Sequence, residues 1–215
     1  MNKKIKAVIF ISALTMLIGC YHEPELSPDM PVVCFDNEVL PVIESSCVRA
    51  GCHDGGEAFS LGDYASIYEQ VTPGKPVASN LHKVISTDYG FLRMPPPPAE
   101  RLTSEQIDKI SLWILQKAEH TTCVENCDST NVTFSGTVQP IIDNYCRSCH
   151  SGTSPQGGFE LVDYQSVKTA VEGGRFMGAI RWQDGYVRMP NEQPQLSPCK
   201  IALIQKWIDL DMLDN

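Results

Sequence analysis

The chain has 215 residues, 42% of them apolar and 20% charged, with a net charge of −9 and nine cysteines. That length holds one or two domains, and the apolar fraction excludes an intrinsically disordered chain. A negative surface disfavours nucleic acid, whose phosphates repel it, and favours protein partners with a basic or neutral face.

Lys3, Lys4 and Lys6 precede an apolar stretch from Ala7 to Ile18. The stretch is shorter than the ~20 residues a membrane span needs, so residues 1–19 read as a signal peptide. The tetrapeptide Leu17-Ile18-Gly19-Cys20 resembles the bacterial lipobox, in which the cysteine is lipidated and becomes the first residue. Cys20 is therefore the expected lipidation site, and residues 20–32 the tether. The expected location is the cell envelope, anchored to a membrane and facing the periplasm or the cell exterior. A short membrane anchor with a chance Gly-Cys is the alternative. Removing residues 1–19 takes three lysines and no acids, which leaves 14 cationic and 26 acidic residues, a charge of −12.

The remainder contains an internal repeat. Residues 35–47, FDNEVLPVIESSC, align without a gap to 134–146, FSGTVQPIIDNYC. GGEAFSLGDYASI (55–67) matches GGFELVDYQSV (157–167), YGFLRMP (89–95) matches DGYVRMP (184–190), and LTSEQIDKISLWI (102–114) matches LSPCKIALIQKWI (196–208). Two modules follow, residues 33–122 and 123–215, joined by a polar segment with a C-x3-C pair.

Each module reads as all-α with a loop-rich middle. Val39, Leu40, Val42 and Ile43 offer an apolar helical face that runs into Cys47, and Val138, Ile141 and Ile142 do so before Cys146. Pro41 and Pro140 are tolerable early in a helix and kink it later. The closing segments are amphipathic helices with Thr103 and Ser197 as N-caps. Their faces carry Ile107, Ile110, Trp113 and Ile114 in one module, and Ile201, Ile204, Trp207 and Ile208 in the other. The middles show Gly and Pro punctuation and no alternation suggestive of a sheet. A module this small has a weak core of its own, so an apolar cofactor is expected to fill it.

The chemistry lies in two motifs. Cys146-Arg147-Ser148-Cys149-His150 is C-x-x-C-H, the attachment signature of c-type haem. The two thiols add to the haem vinyl groups as thioethers, and the adjacent imidazole is carried under the iron as proximal ligand. In the first module Cys47, Cys52 and His53 form C-x4-C-H, with two extra residues around Arg49-Ala50 that can bulge outward. Zinc would need two further ligands per module, and the remaining histidines His22, His82 and His120 do not recur. A thioredoxin-like dithiol would need a βαβ context, which is missing.

Met94 and Met189 recur inside Arg-Met-Pro, and the prolines stiffen each loop. A stiff loop presenting a thioether is what a sixth ligand requires, so both methionines are candidate distal ligands. Trp113 and Trp207 are expected against the porphyrin or the first helix. Tyr64 and Tyr164 fit either a propionate contact or a satisfied core tyrosine. Arg93 and Arg188 fit either a propionate partner or a solvated side chain. With Cys20 lipidated and four thiols in the motifs, Cys34, Cys123, Cys127 and Cys199 remain, enough for two disulfides in an oxidising compartment. Of three possible pairings, Cys34–Cys123 with Cys127–Cys199 is favoured because each bond ties the two ends of one half.

The order of helix, C-x-x-C-H, loop, Met-Pro and a final helix ending Trp-Ile resembles class I cytochrome c domains over residues 33–215. The resemblance implies two tandem helical domains, two covalently bound haem c groups with His/Met axial ligands, and electron transfer between redox partner proteins as the function. The longer first spacer and the four extra cysteines depart from the family pattern. Two other readings stay open: a dihaem peroxidase-like enzyme, which needs an open sixth position, and a zinc-binding or disulfide-stapled surface module.

Overall fold

Two phenylalanines at matched positions organise the chain, Phe35 and Phe134. In the computed structural model, which describes residues 30–56, 58–88, 92–125 and 127–215, each opens a single wide helical turn, Phe35–Val39 and Phe134–Val138. Each turn runs directly into a short α-helix, α1 (Leu40–Cys47) and α5 (Gln139–Tyr145). Pro41 and Pro140 are the second residues of these helices, where the absent proline N–H has no helical acceptor to lose. The expected signal peptide (1–19), Cys20 and most of the tether lie outside the described residues.

The middles hold more helix than their Gly and Pro content predicts. The first contains α2 (Tyr64–Tyr68) and α3 (Asn80–Ser86), the second α6 (Tyr164–Glu172) and α7 (Phe176–Ile180). Asp63 and Asp163 cap α2 and α6 identically. Each carboxylate accepts from the N–H of Ser66 or Ser166 at 2.8 Å, and the serine hydroxyl accepts in return from the aspartate N–H. The closing helices are α4 (Ser104–Leu115), capped by Thr103, and α8 (Pro198–Asp209), capped by Ser197, as their sequences predict. No strand occurs among the described residues, so the fold is all-helical. None of the described helices is long and apolar enough to cross a membrane.

Each half encloses its own core. In the first, Phe35 meets Tyr64 edge-on with centroids 5.1 Å apart and Trp113 at 5.1 Å. In the second, Phe134 meets Tyr164 at 5.3 Å and Trp207 at 5.4 Å. Val39, Ile43, Leu61, Ile67 and Ile110 surround the first trio, and their counterparts Val138, Ile142, Leu161, Val167 and Ile204 surround the second. Burying each of these large side chains contributes roughly 1.5–3 kcal/mol. The same set of large side chains therefore recurs at matched places in both halves.

The aromatic hydrogen-bonding groups serve the ends of the closing helices. Tyr64 donates to the Ala118 carbonyl and Tyr164 to that of Met212, both at 2.9 Å. Trp113 donates to Glu119 at 3.0 Å and Trp207 to Leu213 at 2.9 Å. These bonds hold the left-handed residues Lys117–Ala118 and Asp211–Met212, where each chain turns out of its last helix. The tyrosines are thus core residues with satisfied hydroxyls, and the tryptophans pack on the turn that precedes the first helix.

Residues Pro31–Asn215 form one compact unit. Within it the halves meet through equivalent helices, α1 against α5. Ser45 donates its hydroxyl to the Asn144 carbonyl at 2.8 Å, Ser148 donates to the Ser45 carbonyl at 2.7 Å, and the Gln106 amide donates to the Asp143 carbonyl at 3.0 Å.

Cys34 pairs with Cys123 and Cys127 with Cys199, with Cα atoms 5.7 and 5.5 Å apart. Each bond closes a long loop, 89 and 72 residues in sequence separation, and long loops lose the most unfolded-state entropy when closed. Replacing both members of the first pair (Cys34→Ser with Cys123→Ser) is expected to lower the unfolding free energy by about 2–5 kcal/mol. Urea denaturation measures this, and an unchanged midpoint would count against a stabilising role.

Candidate functional site

The core delivers the first cysteine of each motif to the same place. Helix α1 ends at Cys47, and α5 ends one residue before Cys146. From there the two chains take different routes, because the first spacer is longer. They nevertheless close alike: His53 N–H donates to the Cys47 carbonyl at 3.1 Å, and His150 N–H to the Cys146 carbonyl at 3.0 Å. The extra length is taken up by a turn in which Cys52 N–H donates to the Arg49 carbonyl at 2.8 Å.

Each histidine is then fixed from its other side. Leu61 N–H donates to the His53 carbonyl at 3.0 Å, and Leu161 N–H to the His150 carbonyl at 2.7 Å. Both leucines are buried, so these bonds tie the motif to the core. A phenylalanine two residues earlier lies against each imidazole, Phe59 at 4.6 Å from His53 and Phe159 at 4.4 Å from His150. Sequence reasoning passed over these phenylalanines, although they occupy matched places in FSLGDY and FELVDY.

The ring nitrogens are suited to metal binding. His53 Nδ1 lies 3.1 Å from the Phe59 carbonyl. With Nδ1 donating there, Nε2 carries the lone pair. His150 is 6% exposed, and its Nδ1 is buried without a hydrogen-bond partner. Burial pushes this imidazole below its ordinary pKa, which favours the neutral, donor form. The backbone of Phe159 and Gln156 faces this ring, so the neutral imidazole can keep a nitrogen lone pair for a metal, as at His53.

The thiols differ in environment. Cys47 is buried, and desolvation, reinforced by the neighbouring Cys52, pushes its pKa up to about 12. Desolvation pushes Cys146 up to about 12 as well, with Cys149 and Asp143 adding to it. Cys52 is exposed. Cys149 is partly buried and accepts at 3.1 Å from the guanidinium of Arg49 in the first motif. Arg49 therefore does not bulge outward with its spacer; it crosses to the other half.

The methionines occupy equivalent frames. Met94 N–H donates to the Val84 carbonyl of α3 at 2.9 Å, and Met189 N–H to the Ala179 carbonyl of α7 at 3.1 Å. Each precedes a cis proline that is buried, Pro95 or Pro190. The flanking arginines diverge. Arg93 is spent on the carbonyls of Pro95 and Ala99 within its own loop, whereas Arg188 lies over the Trp182 ring at 5.3 Å. His82 is half-buried on α3, while its counterpart Met177 packs on the second core.

Two pairs of exposed apolar side chains recur at matched positions, and both belong to these segments. Phe59 and Phe159, beside the imidazoles, are 54% and 43% exposed. Leu92 and Val187, two residues before the methionines, are 69% and 61% exposed. Duplicated exposure of large apolar groups marks a binding surface better than scattered single residues do. Among the described residues no group of three or more His, Cys, Asp or Glu is gathered as a metal chelate. An open surface recess of about 620 Å³ beside Arg181, Leu196, Ile201 and Lys206 includes none of the motif residues.

Thiol accessibility can be read chemically. In cofactor-free chain at pH 8, a thiol with its pKa near 12 is about one part in ten thousand thiolate. Iodoacetamide is therefore expected to label exposed Cys52 long before Cys47 and Cys146, as followed by peptide mass mapping. Equal labelling of Cys47 and Cys52 in folded chain would show that the first motif is not built this way. Comparison of the chain with protein-family models, with curated proteins and with solved structures returned no match.

Proposed function

We propose that this chain is an exported, lipid-anchored dihaem c-type cytochrome that carries electrons between redox partner proteins. Its two cytochrome c-like modules would span residues 33–122 and 123–215. One observation carries the reading. Despite spacers of different length, both histidines that follow a cysteine sit in the same backbone frame, bonded to the first cysteine's carbonyl on one side and to a buried leucine's N–H on the other. Divergent loops that converge on one frame indicate that the Cys-His pair, and not the spacer, is what the fold preserves.

Cys47 and Cys52, and Cys146 and Cys149, would attach one haem each, with His53 and His150 as proximal ligands and Met94 and Met189 as distal ligands. Haem iron held by His and Met supplies one reversible electron per module at a relatively high potential. The chain's contribution is to limit reorganisation. The imidazoles are fixed by backbone bonds, and the methionines are held by their own N–H groups against α3 and α7. The exposed Phe59, Leu92, Phe159 and Val187 would cover the apolar edges of the cofactors. The acidic surface suits a basic or neutral partner, and Cys20 would hold the modules near a membrane.

Purified protein from cells with the attachment machinery is expected to show c-type absorption bands and two haems per chain in a pyridine haemochrome assay. Met189→Ala is expected to turn one haem high-spin and to lower the potential of that site alone. Colourless protein of unaltered mass would refute the proposal. A five-coordinate haem with rapid peroxide turnover in the unaltered chain would instead select a peroxidase-like enzyme, and zinc without iron a metal-stapled module.

A further inference from the structure

Among the differences between the halves, one contact joins the two motifs directly. Arg49, in the longer first spacer, donates through Nη2 to Cys149 Sγ at 3.1 Å, from the first motif to the second. Arg147, in the second spacer, makes no reciprocal contact. It donates to the Val162 carbonyl at 2.9 Å and lies 3.5 Å from Asp143, and its charge is shared between the carboxylates of Asp143 and Glu105. The second site therefore has a cation on one attachment sulfur, whereas the first site's Cys52 is exposed.

Resting on the function proposed above, we infer that Arg49 is a positioning residue that raises the reduction potential of the second site above that of the first and so orders electron flow from module one to module two. The physical basis is the sign of the charge. Reduction adds one negative charge at the iron, and a fixed guanidinium on an adjoining sulfur stabilises the reduced form over the oxidised one. Partial burial of the contact limits screening by water. The cation is delivered by the two additional spacer residues, which give the turn at Arg49–Cys52 room to direct the arginine across the α1–α5 contact. The difference in spacer length thereby acquires a purpose: the first motif lends a charge to the second.

The test is a spectroelectrochemical titration of the full dihaem protein, with the second site's wave assigned through Met189→Ala. Arg49→Gln is expected to shift the second site's reduction equilibrium about tenfold toward the oxidised form, which for one electron is about 59 mV, and to leave the first site unmoved. Arg49→Lys keeps the charge and is expected to retain most of the separation. Ser45→Ala removes a cross-module hydrogen bond without altering charge and is expected to change neither potential. Two haems with both potentials insensitive to Arg49→Gln, or shifted equally, would overturn the inference and leave the proposed function standing. So would a shift in Ser45→Ala as large as that in Arg49→Gln, since it would assign the effect to the interface. Absence of haem from the unaltered protein would overturn the function itself and this inference with it.

Discussion

The hydrogen bond between a histidine carbonyl and a leucine N–H, His53 to Leu61 and His150 to Leu161, is the constraint on which the functional face depends. Each leucine belongs to a core centred on the Phe-Tyr-Trp trio, so the histidine is tied to the most buried part of its module. The turn and helix ahead of the motif are tied there as well, through Val39 and Ile43 or Val138 and Ile142. The motif is thus anchored before and after, and its spacer is free to vary. A loop supported at only one end would not tolerate two additional residues without moving the histidine.

That arrangement explains what was readable beforehand. The repeat, the motifs and the capped closing helices rest on residue identity and spacing, which sequence states directly, whereas the favoured disulfide pairing was one of three until the structure paired Cys34 with Cys123 and Cys127 with Cys199. Thr103 and Ser197 cap helices because their hydroxyls meet orphan N–H groups, a local matter. The wide turns at Phe35 and Phe134 could not be anticipated, since a single turn has no period and its formation depends on a ring filling the core. The helices α2, α3 and α7, five to seven residues long, are too short for periodicity to register. The Asp-x-x-Ser boxes at 63–66 and 163–166 were the readable signal for α2 and α6. Of the two readings open for Tyr64 and Tyr164, the core one needs the helix ends they bond, and those partners lie about 50 residues away in the chain.

The duplicated cores also redefine what a cofactor would contribute. The trios pack among the chain's own residues, and under the proposed function a haem would meet the exposed apolar pairs at the surface of each module. Attachment would then stabilise by covering Phe59, Leu92, Phe159 and Val187 and by satisfying the imidazoles, with the packing of the trios already complete. Such a division separates folding from loading. Under the proposed function the chain would meet its cofactor with the two cores already packed.

Symmetry within the chain has a further consequence. Packing α1 against its own counterpart α5 resembles the contact of a twofold dimer, in which each patch meets its equal. In a true dimer every contact occurs twice, so no arginine could be supplied to one site and withheld from the other. Covalent fusion of two copies removes that restriction. Each spacer can drift separately, and Arg49 and Arg147 have come to serve different partners from neighbouring positions in homologous loops. Within such a fused pair two homologous sites can differ in charge, and the longer spacer is where Arg49 departs from its counterpart.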